Sequence, residues 1–261
     1  MDIEQLAKRQ LSDYDRHVPG GLFASYSVAM TVEEAYALQF AVARLRMQRG
    51  EPVAGYKVGC ISPVMQAQLQ LDRPVFGHVF GSEIQPSGAV LDSDDFDGLA
   101  IEGEFGLRVA RDIPNANWLR KYPNDAISAG FAVIELHNYV FRNTPHNAQE
   151  LIGNNAIHAG VVLPMTETAL TDPSVLLDTS ILVSRNGVTL GTANGRALPE
   201  GPFSSLIKLA EHLAGFGVIL REGQIVLTGS PLPLYRVARG DLIEVSCDRS
   251  EMVSCLISGP K

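Results

Sequence analysis

Residues 131–137 read Phe-Ala-Val-Ile-Glu-Leu-His, and the run is apolar almost without a break. A strand of that composition is covered on both faces, so the chain must build a sheet with a layer on either side. Glu135 stands in the middle of the run. An ionised carboxylate in such a place is costly unless it is paired or coordinated. The segment therefore demands a layered fold and, inside it, a positive partner for Glu135. A buried arginine and a metal ion both meet that demand.

The remaining texture agrees with a sheet-rich protein. Gly and Pro punctuate short strand-like segments at 99–110, 130–137, 158–163, 180–192, 224–229, 241–247 and 252–258. Asn186-Gly187 between two such runs is the signal of a two-residue hairpin turn of type I′. The first third looks helical. Ile3, Leu6, Ala7 and Leu11 share one helical face, and Thr31 with Glu34 forms a capping box. The helix opened by Thr31 runs toward Gly50, with Ala35, Leu38, Val42 and Leu45 as its inner stripe. One helix is expected later, capped by Ser204, lined by Leu206, Leu209, Ala210 and Leu213, and ended by Gly215 or Gly217. The expected architecture is α+β: a small helical N-terminal part over 1–75 and a mostly β catalytic part over 76–261.

A second acidic feature lies in the 99–110 segment, Leu-Ala-Ile-Glu-Gly-Glu-Phe-Gly-Leu-Arg-Val-Ala. In a strand, Glu102 and Glu104 project from the same face about 6.5–7 Å apart along the chain. Like charges so placed repel unless water or a cation lies between them. Alone, the pair fits a solvent-facing strand. With Glu135 it makes three carboxylates on two core strands, a set suited to Mg²⁺ or Mn²⁺, which take oxygen ligands. No clustering of His and Cys points to zinc instead.

Other residues stand out less sharply. Lys57 sits between Gly55 and Gly59 in an apolar segment, as either a snorkelling cation or a buried one facing an anion. Asn154 and Asn155 precede His158 in a polar loop where amides either turn the chain or meet a substrate. Thr228, Gly229 and Ser230 end a buried segment and offer N–H and hydroxyl groups to an oxyanion. His78 and His137 are secondary candidates.

Bulk properties narrow the partners. The net charge is −8 with no basic cluster, which argues against nucleic acid or an anionic membrane surface. No apolar run reaches the roughly 18–20 residues of a membrane span, and the N-terminus lacks a signal-peptide core, so a cytoplasmic protein is expected. Cys60, Cys247 and Cys255 lack metal-ligand spacing and are expected to be reduced.

Taken together, several motifs resemble the 2-keto-4-pentenoate hydratase and 2-oxo-dienoate decarboxylase group of the fumarylacetoacetate hydrolase superfamily. They are Gly55-Tyr56-Lys57-Val58-Gly59-Cys60, the Asp72, Pro74 and Gly77 spacing, Ile101-Glu102-Gly103-Glu104-Phe105, Glu135, Asn155-Ala156, and the stretch from Arg221 to the Leu227-Thr228-Gly229-Ser230 turn. The resemblance implies a mixed β roll as the catalytic fold and a homo-oligomer. It implies Glu102, Glu104 and Glu135 as ligands of Mg²⁺ or Mn²⁺, with Lys57 as the active-site lysine; His158, read from the residues alone, is a further catalytic candidate that would hold a water. It also implies Thr228, Gly229 and Ser230 against a small 2-oxo or 2-hydroxy acid, and the loop amide of Asn155 is a further substrate-binding candidate. The implied reaction is hydration of a 2-hydroxy-2,4-dienoate in aromatic-compound catabolism. The alternatives are decarboxylation of a 2-oxo-dienoate and C–C hydrolysis of an acylpyruvate. Three local differences accompany the likeness: Asn154 where Asp is frequent, His158 where a small or amide residue is usual, and the Pro231 to Tyr235 stretch.

Overall fold

The computed structural model describes residues 2–18, 21–25, 30–140 and 147–259. Among them are thirteen strands in two sheets. The larger sheet contains β1 (Val53–Gly59), β2 (Val75–Phe80), β3 (Ile84–Pro86), β5 (Ala100–Val109), β6 (Ile127–His137), β7 (His158–Leu163), β10 (Ile225–Leu227) and β11 (Tyr235–Arg236). Its order is β2-β1-β10-β5-β6-β7-β3, with β11 paired to β5. The smaller sheet contains β4 (Ala89–Asp92), β8 (Ser180–Arg185), β9 (Val188–Asn194), β12 (Leu242–Cys247) and β13 (Val253–Ser258), in the order β4-β13-β12-β8-β9. The β1–β10, β3–β7 and β4–β13 pairs are parallel and the others antiparallel, so both sheets are mixed.

The Glu-Gly-Glu sequence of β5 shows why the two sheets meet there. Glu102 and Glu104 point to one face, and Gly103 points to the other. A Cβ on Gly103 would lie 2.4 Å from Val183 Cγ2 and 3.3 Å from Val245 Cγ1, so the missing side chain lets the smaller sheet close onto β5. Phe105, Ile181, Val183, Ile243 and Val245 fill that interface and belong to the main apolar core. On the opposite, inner face of the larger sheet, a separate small core gathers Val79, Phe131, Val133, Val161, Ile225 and Leu227. The carboxylates share this inner face, so their neighbourhood is dry.

Seven α-helices cover the sheets among the described residues: α1 (Ile3–Asp15), α2 (Gly21–Ser25), α3 (Val32–Gln48), α4 (Pro63–Gln68), α5 (Ala116–Lys121), α6 (Ala148–Gly153) and α7 (Pro202–Ala214). The Thr31–Glu34 capping box is present at the start of α3. Gln39 of α3 is buried and its amide donates at 2.9 Å to both Phe76 O and Ile152 O, tying α3 to β2 and α6.

Three local expectations are corrected. Strand β1 lies inside the segment expected to be helical. Its glycines hide it, and Gly55 is there because a Cβ would sit 2.1 Å from Ile225 O of the parallel neighbour. Ser204 is not the cap of α7: Gly201 at φ +79° holds that place, Pro202 follows it, and the Ser204 hydroxyl donates to Pro199 O and Gly201 O inside the helix. Helices α5 and α6, six residues each, were not expected, being too short to show periodicity. The Asn186-Gly187 turn is as expected, with φ of +53° and +76° joining Arg185 to Val188 in register.

Candidate metal centre and active site

Register brings the acidic residues together. Glu102 of β5 pairs with Glu135 of β6, and Glu104 pairs with Val133, so all three carboxylates face inward on adjacent strands. Glu104 and Glu135 are fully buried, while the Glu102 side chain keeps 20% of its surface exposed and marks the open side. Lys57 of β1 shares a register row with Leu227, Gly106 and Phe131, and so points to the same face. Its Nζ lies 3.3 Å from Glu135 Oε1 and donates to Ala156 O at 3.5 Å.

His158 reaches the site through an irregularity. Leu136 pairs with Gly160 but His137 pairs with His158, so Ala159 is an extra residue on β7. Such a bulge re-aims the next side chain. It turns His158 inward, where Nδ1 lies 2.7 Å from Glu135 Oε1 and Nε2 lies 3.8 Å from Glu83 Oε2. Glu83 is held in turn by Arg46 Nη1 at 2.6 Å, and the Tyr14 hydroxyl donates to His158 O at 3.1 Å.

The electrostatics follow from burial and these contacts. Burial opposes the charge on Glu135, but Lys57 above all, with His137 and His158, holds its carboxyl well below the usual carboxylate range. Burial likewise opposes the charge on Lys57, yet Glu135, Glu102 and Glu104 outweigh it and raise its pKa. Glu104 goes the other way: burial, then the charges of Glu135 and Glu102, push its pKa well above normal. One lysine does not balance three carboxylates.

The donor set fits a divalent cation. Oxygens of Glu102 and Glu135 and a nitrogen of His137 lie within 4.8 Å of one another. Glu135 Oε2, Glu104 Oε1 and both His137 nitrogens are buried with no hydrogen-bond partner among the described residues. Buried polar atoms are normally satisfied, and the unpartnered Glu135 Oε2 and His137 Nε2, 3.7 Å apart, call for a ligand between them. Glu104 stands outside the tightest group; its Oε2 accepts from the Gly229 N–H at 2.8 Å.

Asn155, Thr228 and Ser230 also bond to the backbone of neighbouring strands. Asn155 Oδ1 accepts from His78 N at 2.7 Å and its Nδ2 donates to His78 O at 2.8 Å, so the side chain clasps β2. Thr228 is buried, with its hydroxyl donating to Phe105 O. Ser230 Oγ donates to Gly103 O and Leu232 O and remains partly exposed. Gly229, at φ +90°, has room for no side chain, since a Cβ would meet Ile61 Cγ2 at 2.8 Å.

Comparison with known proteins supplies the relatives. No family model matches the chain. It is 30% identical over 232 residues to 2-oxo-hept-4-ene-1,7-dioate hydratase of Escherichia coli, covering 87% of this chain and 86% of that protein. It is 30% identical over 203 residues to 2-keto-4-pentenoate hydratase of Burkholderia vietnamiensis, covering 78% and 77%. The chain belongs to the family of the 2-oxo-hept-4-ene-1,7-dioate and 2-keto-4-pentenoate hydratases. Like the relatives that place it there, it is an enzyme of the lyase kind. The fold agrees across the whole length. The 4-oxalocrotonate decarboxylase from Pseudomonas putida G7, complexed with magnesium and adipate, superposes with a TM-score of 0.86 at 22% identity, covering 98% of this chain and 97% of that one. Fumarylpyruvate hydrolase from Pseudomonas aeruginosa, in complex with Mn²⁺ and pyruvate, gives a TM-score of 0.59 at 16% identity, covering 78% and 89%.

Sequence reasoning gave His137 only secondary weight and missed the Arg46–Glu83 pair. For His137 the available signal was its position, two residues after Glu135 on the same strand face. Arg46 carried none, because an arginine near a helix end usually faces water, whereas this one is 5% exposed and stacks 3.7 Å over the Phe80 ring.

Proposed function

We propose that this enzyme adds water to a 2-hydroxy-2,4-dienoate of the 2-keto-4-pentenoate type, giving a 4-hydroxy-2-oxo acid. Glu102, Glu104 and Glu135 hold the Mg²⁺ or Mn²⁺ it needs. The observation that carries the reading is the meeting of these three carboxylates on one dry face, with buried oxygens of Glu104 and Glu135 left unpartnered. The hydratase names of the relatives support the reaction class. When bound, a divalent ion polarises a 2-oxo oxygen and stabilises the charge of an enolate.

The chain's own groups do the rest. Lys57, fixed by Glu135 and the Ala156 carbonyl, presents a permanent ammonium to the substrate carboxylate or to developing oxyanion charge. His158 pins Glu135 Oε1 through Nδ1, which leaves Oε2 facing the cluster. The Gly229 N–H fixes one oxygen of Glu104 and leaves the other free. The apolar inner core of Phe131, Val133, Val161 and Leu227 keeps bulk water out, so each charge acts at full strength. The partly exposed Ser230 and the side chains around Glu102 line the side from which a substrate enters.

The enzyme is proposed to act in the cytoplasm and as a homo-oligomer. Among the described residues no helix is long and apolar enough to cross a membrane. Val90, Leu256 and Leu242 stand in register across β4, β13 and β12 and are exposed, a surface suited to contact with another copy.

Ultraviolet monitoring of 2-hydroxypenta-2,4-dienoate tests the proposal. The reading expects consumption with Mg²⁺ or Mn²⁺, its loss with EDTA, and its recovery when the ion is restored. Consumption indifferent to EDTA would remove the metal from the reading.

A further inference from the structure

Among the described residues His137 has no hydrogen-bond partner that accounts for its position. It is 1% exposed and lies on the inner face of β6, one side-chain step beyond Glu135. A buried imidazole with neither nitrogen satisfied is costly, yet neither nitrogen forms a hydrogen bond with a described residue. Nε2 lies 3.2 Å from Glu102 Oε2 and 3.7 Å from Glu135 Oε2. The first contact has the length of a hydrogen bond without the required alignment. Adjacent donors around one octahedral ion with bonds of about 2.1 Å stand roughly 3 Å apart. The His137 nitrogen and the two carboxylates are already near that spacing, within 4.8 Å of one another.

We infer that His137 Nε2 is a nitrogen donor to the ion of the proposed site, making it a mixed nitrogen–oxygen centre instead of an all-carboxylate one. The inference rests on the metal reading above and refines it. His158, the other imidazole at the site, is unsuited to this part: its Nδ1 is committed to Glu135 Oε1, and its Nε2 lies toward Glu83. The consequence is selectivity. Mg²⁺ favours oxygen ligands, whereas imidazole favours ions further along the first transition row. The site therefore prefers Mn²⁺ to Mg²⁺ more strongly than three carboxylates alone would.

Pulsed electron paramagnetic resonance of Mn²⁺ added to the full chain reads the ligand directly. The expected result is a coupled ¹⁴N nucleus that changes to the ¹⁵N pattern in labelled protein. It persists in His158→Asn and disappears in His137→Gln, which still binds Mn²⁺ but at least about tenfold more weakly. Affinity for Mg²⁺, measured by competition, should change much less in His137→Gln. Bound Mn²⁺ without nitrogen coupling in the wild-type protein would overturn the inference and leave the carboxylate site standing, and so would coupling that survives His137→Gln. Failure of the wild-type protein to bind Mn²⁺ at all would overturn both.

Discussion

Replacing Asn155 separates a residue that holds the site together from one that touches substrate. Its amide makes two hydrogen bonds, at 2.7 and 2.8 Å, to the backbone of His78, a residue 4% exposed. Asn155, Ala156 and Ile157 all lie in the left-handed region, at φ +56°, +52° and +56°. Such a run persists only when surrounding contacts enforce it. Asn155→Ala strands two backbone groups at about 1–3 kcal/mol each. It also places Ala where Asn tolerates the left-handed conformation better, at about 1 kcal/mol. With partial relaxation and access of water, the loss is roughly 3–5 kcal/mol. At roughly 2–4 °C per kcal/mol, Tm falls on the order of 10 °C in scans at fixed protein concentration. Asn155→Gly keeps the loss of the clasp but relieves the backbone, and should recover about 1 kcal/mol of it. Because the same turn delivers the Ala156 carbonyl to Lys57 and leads into His158, kcat should fall at least about tenfold, equivalent to some 1.4 kcal/mol, with KM little changed. A stable Asn155→Ala protein with a raised KM and an intact kcat would refute the clasp and return Asn155 to the substrate.

Other outcomes follow from the same geometry. Glu135→Gln leaves the Lys57 ammonium buried without its closest carboxylate, so stability should drop by about 3–5 kcal/mol in denaturant melts, with loss of Mn²⁺ binding by calorimetry. Gly103→Val drives a side chain into Val183 and Val245 between the sheets; a loss of about 1–3 kcal/mol or more is expected, partly recovered with Val183→Ala. Arg46→Met strands Glu83 and Glu51, and should lower both Tm and kcat, whereas Arg46→Lys should restore charge without the forked contacts. His78 is held neutral by burial, then by His212 and Arg46, with its pKa lowered from 6.5 to about 3. The unfolded chain therefore binds the extra proton between these values, and stability is lost as pH falls through that window. The slope is up to about 1.4 kcal/mol per pH unit. His78→Leu should flatten that part of a pH–stability curve.

What the sequence revealed was what local rules control. The buried strand around Glu135, the inward pair Glu102 and Glu104, the capping box of α3 and the Asn-Gly hairpin all depend on neighbours within a few residues. Long-range requirements stayed hidden. β1 was masked by Gly55, whose reason is the approach of Ile225 from a strand some 170 positions later in the chain. The inward aim of His158 depends on the extra residue Ala159, and no composition signals a bulge of that kind. Asn155 and Thr228 were legible as polar residues near the site, but their hydrogen bonds go to His78 and Phe105, distant strands that only the fold brings near.

The mass of the product formed from 2-hydroxypenta-2,4-dienoate with Mn²⁺ present decides whether the enzyme is a hydratase. Hydration gives a product heavier than the substrate by one water, formed by the wild-type enzyme and not by Glu135→Gln. No gain of water here, together with release of CO₂ from 2-oxohex-3-enedioate, would contradict it and place the chain among the decarboxylases.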